Sequence, residues 1–297
     1  MKPLRDYYRV VRRDALLTVC ALFLLLVLLV SFVGIYFTGY TYDQISDASL
    51  LPPSSHHWFG TDSNGHDLLT RTLFGARISL FVAAVGTLVS LTIGVTYGMI
   101  SGYVGGRVDN IMMRLVEIIY SLPTLVLVIV LVTTLDRPVA NLLKDLGWTA
   151  VNPRLVLIVG FLGLTEWLTM ARIIRGQVLV LKQQPFVQAS LALGQSHTQI
   201  LWRHLFPNLL GIIIVYLTLT IPAIMLDESF MSFLHVGLQP PLASWGTLVS
   251  DAAFLINPIK LYWWMLIFPG GLMTLTLLAL NFLGDGLRDA LDPRVRK

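Results

Sequence analysis

The residues of this sequence best placed to do chemistry are ionisable groups that fall inside apolar runs. Glu166 interrupts one such run roughly 17 Å from its start, at about 1.5 Å per helical residue, deep enough for a proton relay or the wall of a solute path. Arg114 and Glu117 are three residues apart, so they share a helical face and are expected to form a structural ion pair. Asp227 and Glu228 lie toward the end of another apolar run, where Glu228 is expected to snorkel to the water beyond. His56, His57 and His66 stand near Asp62 and Asp67, and all five are metal-binding residue types. The expectation is that they are solvent-exposed turn residues, and no metal is predicted. No H-E-x-x-H, G-x-S-x-G or G-x-x-x-x-G-K-[ST] pattern occurs, so the chain is not expected to be an enzyme, and any ATP chemistry must come from elsewhere.

Composition says what must position these groups. Of 297 residues, 55% are hydrophobic and only 13% charged, with a mean hydropathy of +0.73. Soluble domains carry roughly a quarter charged residues, so the natural solvent of this chain is a bilayer. Its net charge of +4 and pI near 9.3 could suggest nucleic acid, but the basic residues form no aromatic-interleaved stripe. The single cysteine, Cys20, lies in an apolar run, which excludes a disulfide framework.

Apolar runs at 15–37, 78–101, 111–134, 155–173, 209–233 and 261–284 predict six transmembrane helices, the first too long for a signal-peptide core. With the N-terminus inside, 15 of the 21 Lys and Arg fall in cytoplasmic segments, and only Arg71, Arg77, Arg137, Lys144, Arg154 and Lys260 fall outside. Both termini are therefore expected to be cytoplasmic. Pro222 and Pro269 fall within spans, where a structural role is expected.

Two loops exceed mere connections. In the external one, Pro52-Pro53 and Asn64-Gly65 mark turns, after which Leu68, Leu69, Leu73 and Phe74 recur at near-helical spacing. A short helix lying on the membrane surface fits that spacing, as does a packed lid without a ligand. In the cytoplasmic loop, 172–208, Pro185 suits a helix start and Gly194 a left-handed helix end. Ser196 and Gln199 read as a capping box opening a second short helix, with Ile200, Leu201 and Leu205 toward one side and Pro207 closing the loop. Apolar side chains there fit either docking of a soluble partner or contact with lipid headgroups.

The stretch FVQASLALGQSHTQILWRHLFPN, 186–208, resembles the EAA loop of ABC importer membrane subunits, matching at Ala189, Gly194 and Phe206-Pro207. Gln188 and Ser190 stand where that family has Glu and a second Ala, and Gln can hydrogen-bond but not form an ion pair. FGTDSNGHDLLTR (59–71), SGYVGGRVDNIMMRLVEIIYSLP (101–123), MARIIRGQVL (170–179), ESFMSFLHVGLQPPLASWG (228–246) and NFLGDGLRDALDPR (281–294) are similar to the C-type permeases of oligopeptide and dipeptide ABC importers. His66, His235 and Asp227 beside Glu228 depart from that pattern.

The resemblance implies an all-α polytopic protein with the type I importer permease fold, in the bacterial inner membrane. It implies a half-channel paired with a second, B-type permease, two ABC ATPase subunits that bind ATP and Mg, and an external binding protein that delivers peptide. No cofactor is expected on this chain. The implied organisation is an N-terminal tail, first span and start of the external segment at 1–60, an external amphipathic segment at 61–77, the transmembrane domain at 78–286 and a tail at 287–297. Gln188, Ala189, Ser190, Gly194, Ile200, Leu201, His204, Leu205, Phe206 and Pro207 are the implied coupling residues, and Gly60, Thr61, Asp62, Gly65 and Asp67 the implied binding-protein side. A haem, nickel-chelate or glutathione cargo is an alternative. So is a proton-coupled secondary transporter using Glu166, although no inverted repeat is evident. A non-transporting membrane scaffold is a third reading.

Overall fold

The structure is a computed structural model and describes residues 15–149, 151–256 and 260–291. The predicted tails, with Lys2, Arg5, Arg9, Arg12, Arg13, Arg294, Arg296 and Lys297, extend outside the described residues. Among the described residues, six helices are long and apolar enough to cross a membrane. In chain order the helices are α1 (Ala15–Phe32), α2 (Leu68–Val104), α3 (Gly106–Tyr120), α4 (Thr124–Asp145), α5 (Pro153–Leu181), α6 (Pro185–Ala192), α7 (His197–Phe233), α8 (Trp245–Phe254) and α9 (Trp263–Leu291). Among the described residues the rest is loop and short turns, with one isolated antiparallel bridge between Thr61 and Asp67.

The centre of the bundle is the contact between α2 and α5, which run parallel. Gly86, Gly94, Gly98 and Gly102 of α2 lie against Val159, Met170, Ala171 and Val178 of α5 in register, and a Cβ at Gly98 would stand 2.5 Å from the Ala171 carbonyl oxygen. Only glycine permits so close an approach of two backbones. One core forms around Val82, Ile158, Leu162, Ile224 and Trp245, and a second, nearer the 172–208 loop, around Met99, Ile174, Val187, Ile200 and Leu205. Leu17, early in α1, packs on Gly286, late in α9, while Arg77 donates to the carbonyls of Ser31 and Phe32 at the other end of α1. The first and last described turns therefore lie at the same end of the bundle as the 172–208 loop.

Three expectations about the elements are corrected. The third span does not run through 111–134. The chain breaks at 121–123, because Pro123 has no N–H and disfavours helix at the residue before it, so an amphipathic α3 precedes the spanning α4. Tyr97 Oη donates to the Met112 carbonyl and Ser101 Oγ to Asp109, so α3 runs antiparallel along the C-terminal half of α2. The expected surface helix after Asn64-Gly65 is instead the opening of the 37-residue α2, capped by Asp67, whose Oδ2 accepts from the Thr70 amide and hydroxyl at 2.8 and 2.7 Å. Pro207 does not close the loop. It occupies the tolerant first turn after a π-helical stretch, Ile200–Leu205, and the helix continues to Phe233. Pro222 and Pro269 both sit inside continuous helices.

Candidate functional site: the 172–208 loop and the polar groups of the bundle

The loop is built as its local sequence dictates. Pro185 opens α6, Gly194 takes φ +75° after it, and Ser196 and Gln199 exchange both capping-box bonds at the start of α7. Gln188 is exposed and its Nε2 donates to the Lys182 carbonyl at 2.8 Å, tying α6 back to the end of α5. Ala189 and Pro207 are exposed. Ser190 faces inward, its hydroxyl donating to the Phe186 carbonyl at 2.9 Å and lying 3.4 Å from His204 Nε2. His204 Nε2 also pairs with Gln195 Oε1 at 2.8 Å, bracing the two arms of the loop across the glycine turn.

Two of the expected docking contacts are core residues. Ile200 and Leu205 are fully buried among Val187, Ile174 and Leu209, and Leu201 and Phe206 pack half-buried against them. The reason is that the helix beginning at Ser196 is the root of a span, so its apolar side faces the bundle. The apolar groups left outside are Leu193, 81% exposed, and Trp202, 53% exposed, with Phe186 and Leu191 beside them. Sequence reasoning missed Leu193 and Trp202, although a leucine immediately before a C-capping glycine and a tryptophan among loop polar residues were available signals. Between the end of α2 and the loop lies a cleft of about 570 Å³, lined by Tyr103, Lys182, Gln188, Leu191, His197 and Leu201. Tyr103 Oη pairs with His197 Nδ1 across it at 2.7 Å.

At the opposite end, three of the five residues expected in solvent, Asp62, His66 and Asp67, are buried, His57 is half-buried and His56 is exposed as expected. Asp62 Oδ1 accepts from the amides of Asn64 and His66, and Oδ2 from Arg71 Nη1 at 2.6 Å and His66 Nδ1 at 2.8 Å. Burial pushes the Asp62 carboxyl up, but the Arg71 guanidinium and the His66 contacts outweigh it and hold the carboxyl below its ordinary range. Asp67 is spent on the α2 cap and on His57 Nδ1 at 2.9 Å, while His56 is exposed. Thr61 is fully buried and its hydroxyl accepts from the Leu51 amide. Gly60 and Gly65 have φ of +79° and +83° and admit no side chain against the backbone of Leu51 and Ser46. No group of three metal-ligand side chains is gathered among the described residues.

Within the bundle, Glu228 does not snorkel. It is fully buried and accepts from Ser79 and Ser232 at 3.1 and 2.8 Å, because four inward serines, not water, surround its position. Ser79 Oγ in turn accepts from the Trp245 amide, which fixes the start of α8. Glu166 on α5 and Asp227 on α7 are half-buried and have no hydrogen-bond or ion-pair partner among the described residues. Arg114 and Glu117 do not pair. Both are exposed, and they line a cleft of about 660 Å³ with Asn110 and Arg175. The ion pair of this region is Asp109 with Arg175, which the sequence reading did not find because its partners are on different helices. Hydrogen bonding from Arg175 holds the Asp109 carboxyl below its ordinary range, against the opposing effect of burial.

A bundle of long apolar helices with half-buried, unpartnered Glu166 and Asp227 and a braced loop at one end fits a membrane transport subunit. Residues 94–297 match the family described as binding-protein-dependent transport system inner membrane component, and the chain belongs to that family. It is 47% identical to the dipeptide transport system permease protein DppC of Bacillus subtilis (strain 168), over 83% of this chain and 72% of that one. To the oligopeptide transport system permease protein OppC of the same organism it is 41% identical, over 96% and 88%. To the glutathione transport system permease protein GsiD of Pectobacterium atrosepticum it is 34% identical, over 99% and 92%. A chain of the MetNI methionine ABC transporter in an inward-facing conformation shares the fold, with a TM-score of 0.54 and 18% identity over 76% of this chain and 98% of that one.

Proposed function

We propose that this chain is one of two permease subunits of an ATP-driven peptide importer in the bacterial cytoplasmic membrane. The observation that carries the reading is the identity above 40% to DppC and OppC permeases across most of both chains. A second, B-type permease completes the path, two ATPase subunits supply ATP and Mg chemistry, and an external binding protein delivers the cargo. The 172–208 loop docks on one ATPase, with Gln188, Ala189, Gly194, Leu193 and Trp202 at its surface and Ser190, His204, Ile200 and Leu205 holding its shape. Both ends of the described chain then face the cytoplasm, since they share an end of the bundle with that loop. The external Gly60, Thr61, Asp62, Gly65 and Asp67 form a rigid platform on the binding-protein side. Closure of the ATPases on ATP draws the two docked loops together and opens the path outward, and hydrolysis resets it.

Glutathione, itself a peptide derivative, is the second cargo reading, supported by the similarity to GsiD over nearly the whole chain. Haem and nickel chelates remain expectations of the same importer class, and membership of the family sets the proton-coupled reading aside. The test is uptake of a labelled peptide pool of mixed length, with labelled glutathione in parallel, by cells lacking this gene and other peptide importers. Restored peptide uptake on returning the gene supports the proposal, whereas restored glutathione uptake alone would replace it with the second reading.

A further inference from the structure

We propose that the Asp109–Arg175 pair is the joint through which movement of the 172–208 loop is delivered to α3, making both of them positioning residues for transport. The inference deepens the importer reading and rests on it. Arg175 Nε donates to Asp109 Oδ1 and Nη2 to Oδ2, each at 2.6 Å, and Ser101 Oγ donates to Oδ1 at 2.5 Å. Asp109 is only 6% exposed, so three helices, α2, α3 and α5, meet on one buried carboxylate. A two-pronged guanidinium–carboxylate contact fixes orientation as well as distance. As a source of stability it is poor, because removing both charges from water offsets much of their attraction. What it supplies is a directional link that an apolar contact would not.

The link continues to the loop. Just past the end of α5, Lys182 Nζ donates to the Gly102 carbonyl at 2.9 Å, and the Lys182 carbonyl accepts from Gln188 of α6. A displacement of α6 therefore moves the end of α5, the end of α2 and, through Arg175, the start of α3. At its other end α3 stops at 121–123, where Pro123 interrupts the backbone ladder and frees α3 to tilt relative to α4. The outward side of α3 carries Arg114 and Glu117, unpaired on the 660 Å³ cleft, so tilting α3 moves two charges in the inner half of the bundle. Arg172 also touches α3, its guanidinium 4.1 Å from the Tyr120 ring centre, but both groups are exposed and the contact is not directional. It serves as an internal control.

The experiment measures ATP consumed per cargo molecule imported, in proteoliposomes holding the whole complex, with a labelled peptide and the loaded binding protein. Asp109→Asn and Arg175→Gln are expected to raise that ratio roughly 3- to 30-fold, the range over which residues of a coupling network act. The charge-reversed double variant Asp109→Arg/Arg175→Asp is expected to return it to within about 3-fold of wild type, as coupled neighbours do. Arg172→Ala is expected to change it less than about 2-fold, as suits an exposed contact. If a single variant fails to assemble, Arg175→Lys, which keeps the charge and loses the second prong, reads the same ratio. Variants whose ATP use and uptake fall together, with the ratio unchanged, would overturn the proposal, as would single variants indistinguishable from wild type. Failure of the wild-type complex to import peptide would instead remove the peptide cargo and leave the joint to be tested by the same ratio with labelled glutathione.

Discussion

Leu193 and Leu205 belong to the same loop, yet Leu193 is 81% exposed and Leu205 is completely buried against Val187 and Ile200. The two leucines therefore have different work. Leu205→Ala is expected to destabilise the permease by about 2 to 5 kcal/mol, the usual range for a buried leucine. Leu193→Ala and Trp202→Ala should leave thermal stability in detergent unchanged. They should weaken capture of the ATPase subunits by roughly 1 kcal/mol or more each, as truncated interface anchors do. Melting curves and pull-down of the ATPases from the same preparations check both halves.

Gly194 sits at φ +75° with open space around it, so only backbone strain opposes a side chain there. Asparagine tolerates this conformation, while a β-branched residue does not. Gly194→Val is expected to abolish uptake with the protein still present in the membrane, and Gly194→Asn to retain most of it. Full uptake by the valine variant would show that the turn is not needed for coupling.

Gly98 meets a different limit, since its Cβ would press on the Ala171 carbonyl of a neighbouring backbone. Gly98→Ala must separate α2 from α5, at a cost of about 1 to 3 kcal/mol for overpacking. A fall of several degrees in melting temperature is the expected readout. The equivalent change at Gly176, with nothing near its Cβ position inside α5, should not lower the melting temperature and, by helix propensity, should raise it slightly.

Glu228 holds Ser79 and Ser232, and through Ser79 the start of α8. Glu228→Ala leaves those hydroxyls without their acceptor inside the bundle, whereas Glu228→Gln keeps an acceptor of similar shape. The alanine variant is therefore expected to melt lower than the glutamine variant, by at least about 1 kcal/mol of stability.

The Asp62 carboxyl is held below its ordinary value of 3.8 in the folded protein. A depressed carboxyl contributes stability that is fully present above pH 3.8 and is lost as pH falls from there through the folded value. The gap in melting temperature between wild type and Asp62→Asn should accordingly be constant at neutral pH, begin to narrow below about pH 4 and vanish only once the pH has passed below the folded value, where the carboxyl is protonated in both states. A gap that persists unchanged into that acid range would show that Arg71 and His66 are not held by the charge.

The reading of the external segment shows where local pattern fails. Asp62, His66 and Asp67 lie among turn formers and were expected in solvent, but Arg71 from the opening of α2 pairs with Asp62 beside His66, and Asp67 turns inward to cap α2 and meet His57, so all three are buried. The third span was misplaced for a related reason. Hydrophobicity averaged over a window passes smoothly through Pro123, whereas the backbone hydrogen-bond ladder does not.

What the sequence by itself determined was everything carried by short range and by solvent: six apolar spans, the Pro185 start, the Gly194 turn, the Ser196–Gln199 cap and the resemblance of 186–208 to an importer loop. Propensity, capping and transfer into lipid act on neighbours along the chain, so their outcome is legible there. Only the tertiary structure decided which leucine of the loop is core and which is surface, that Glu228 is enclosed by serines, and that Arg175 takes Asp109 while Arg114 and Glu117 stay apart. Those choices depend on which helix faces come together, and side chains 66 residues apart meet because the glycines of α2 let α5 approach.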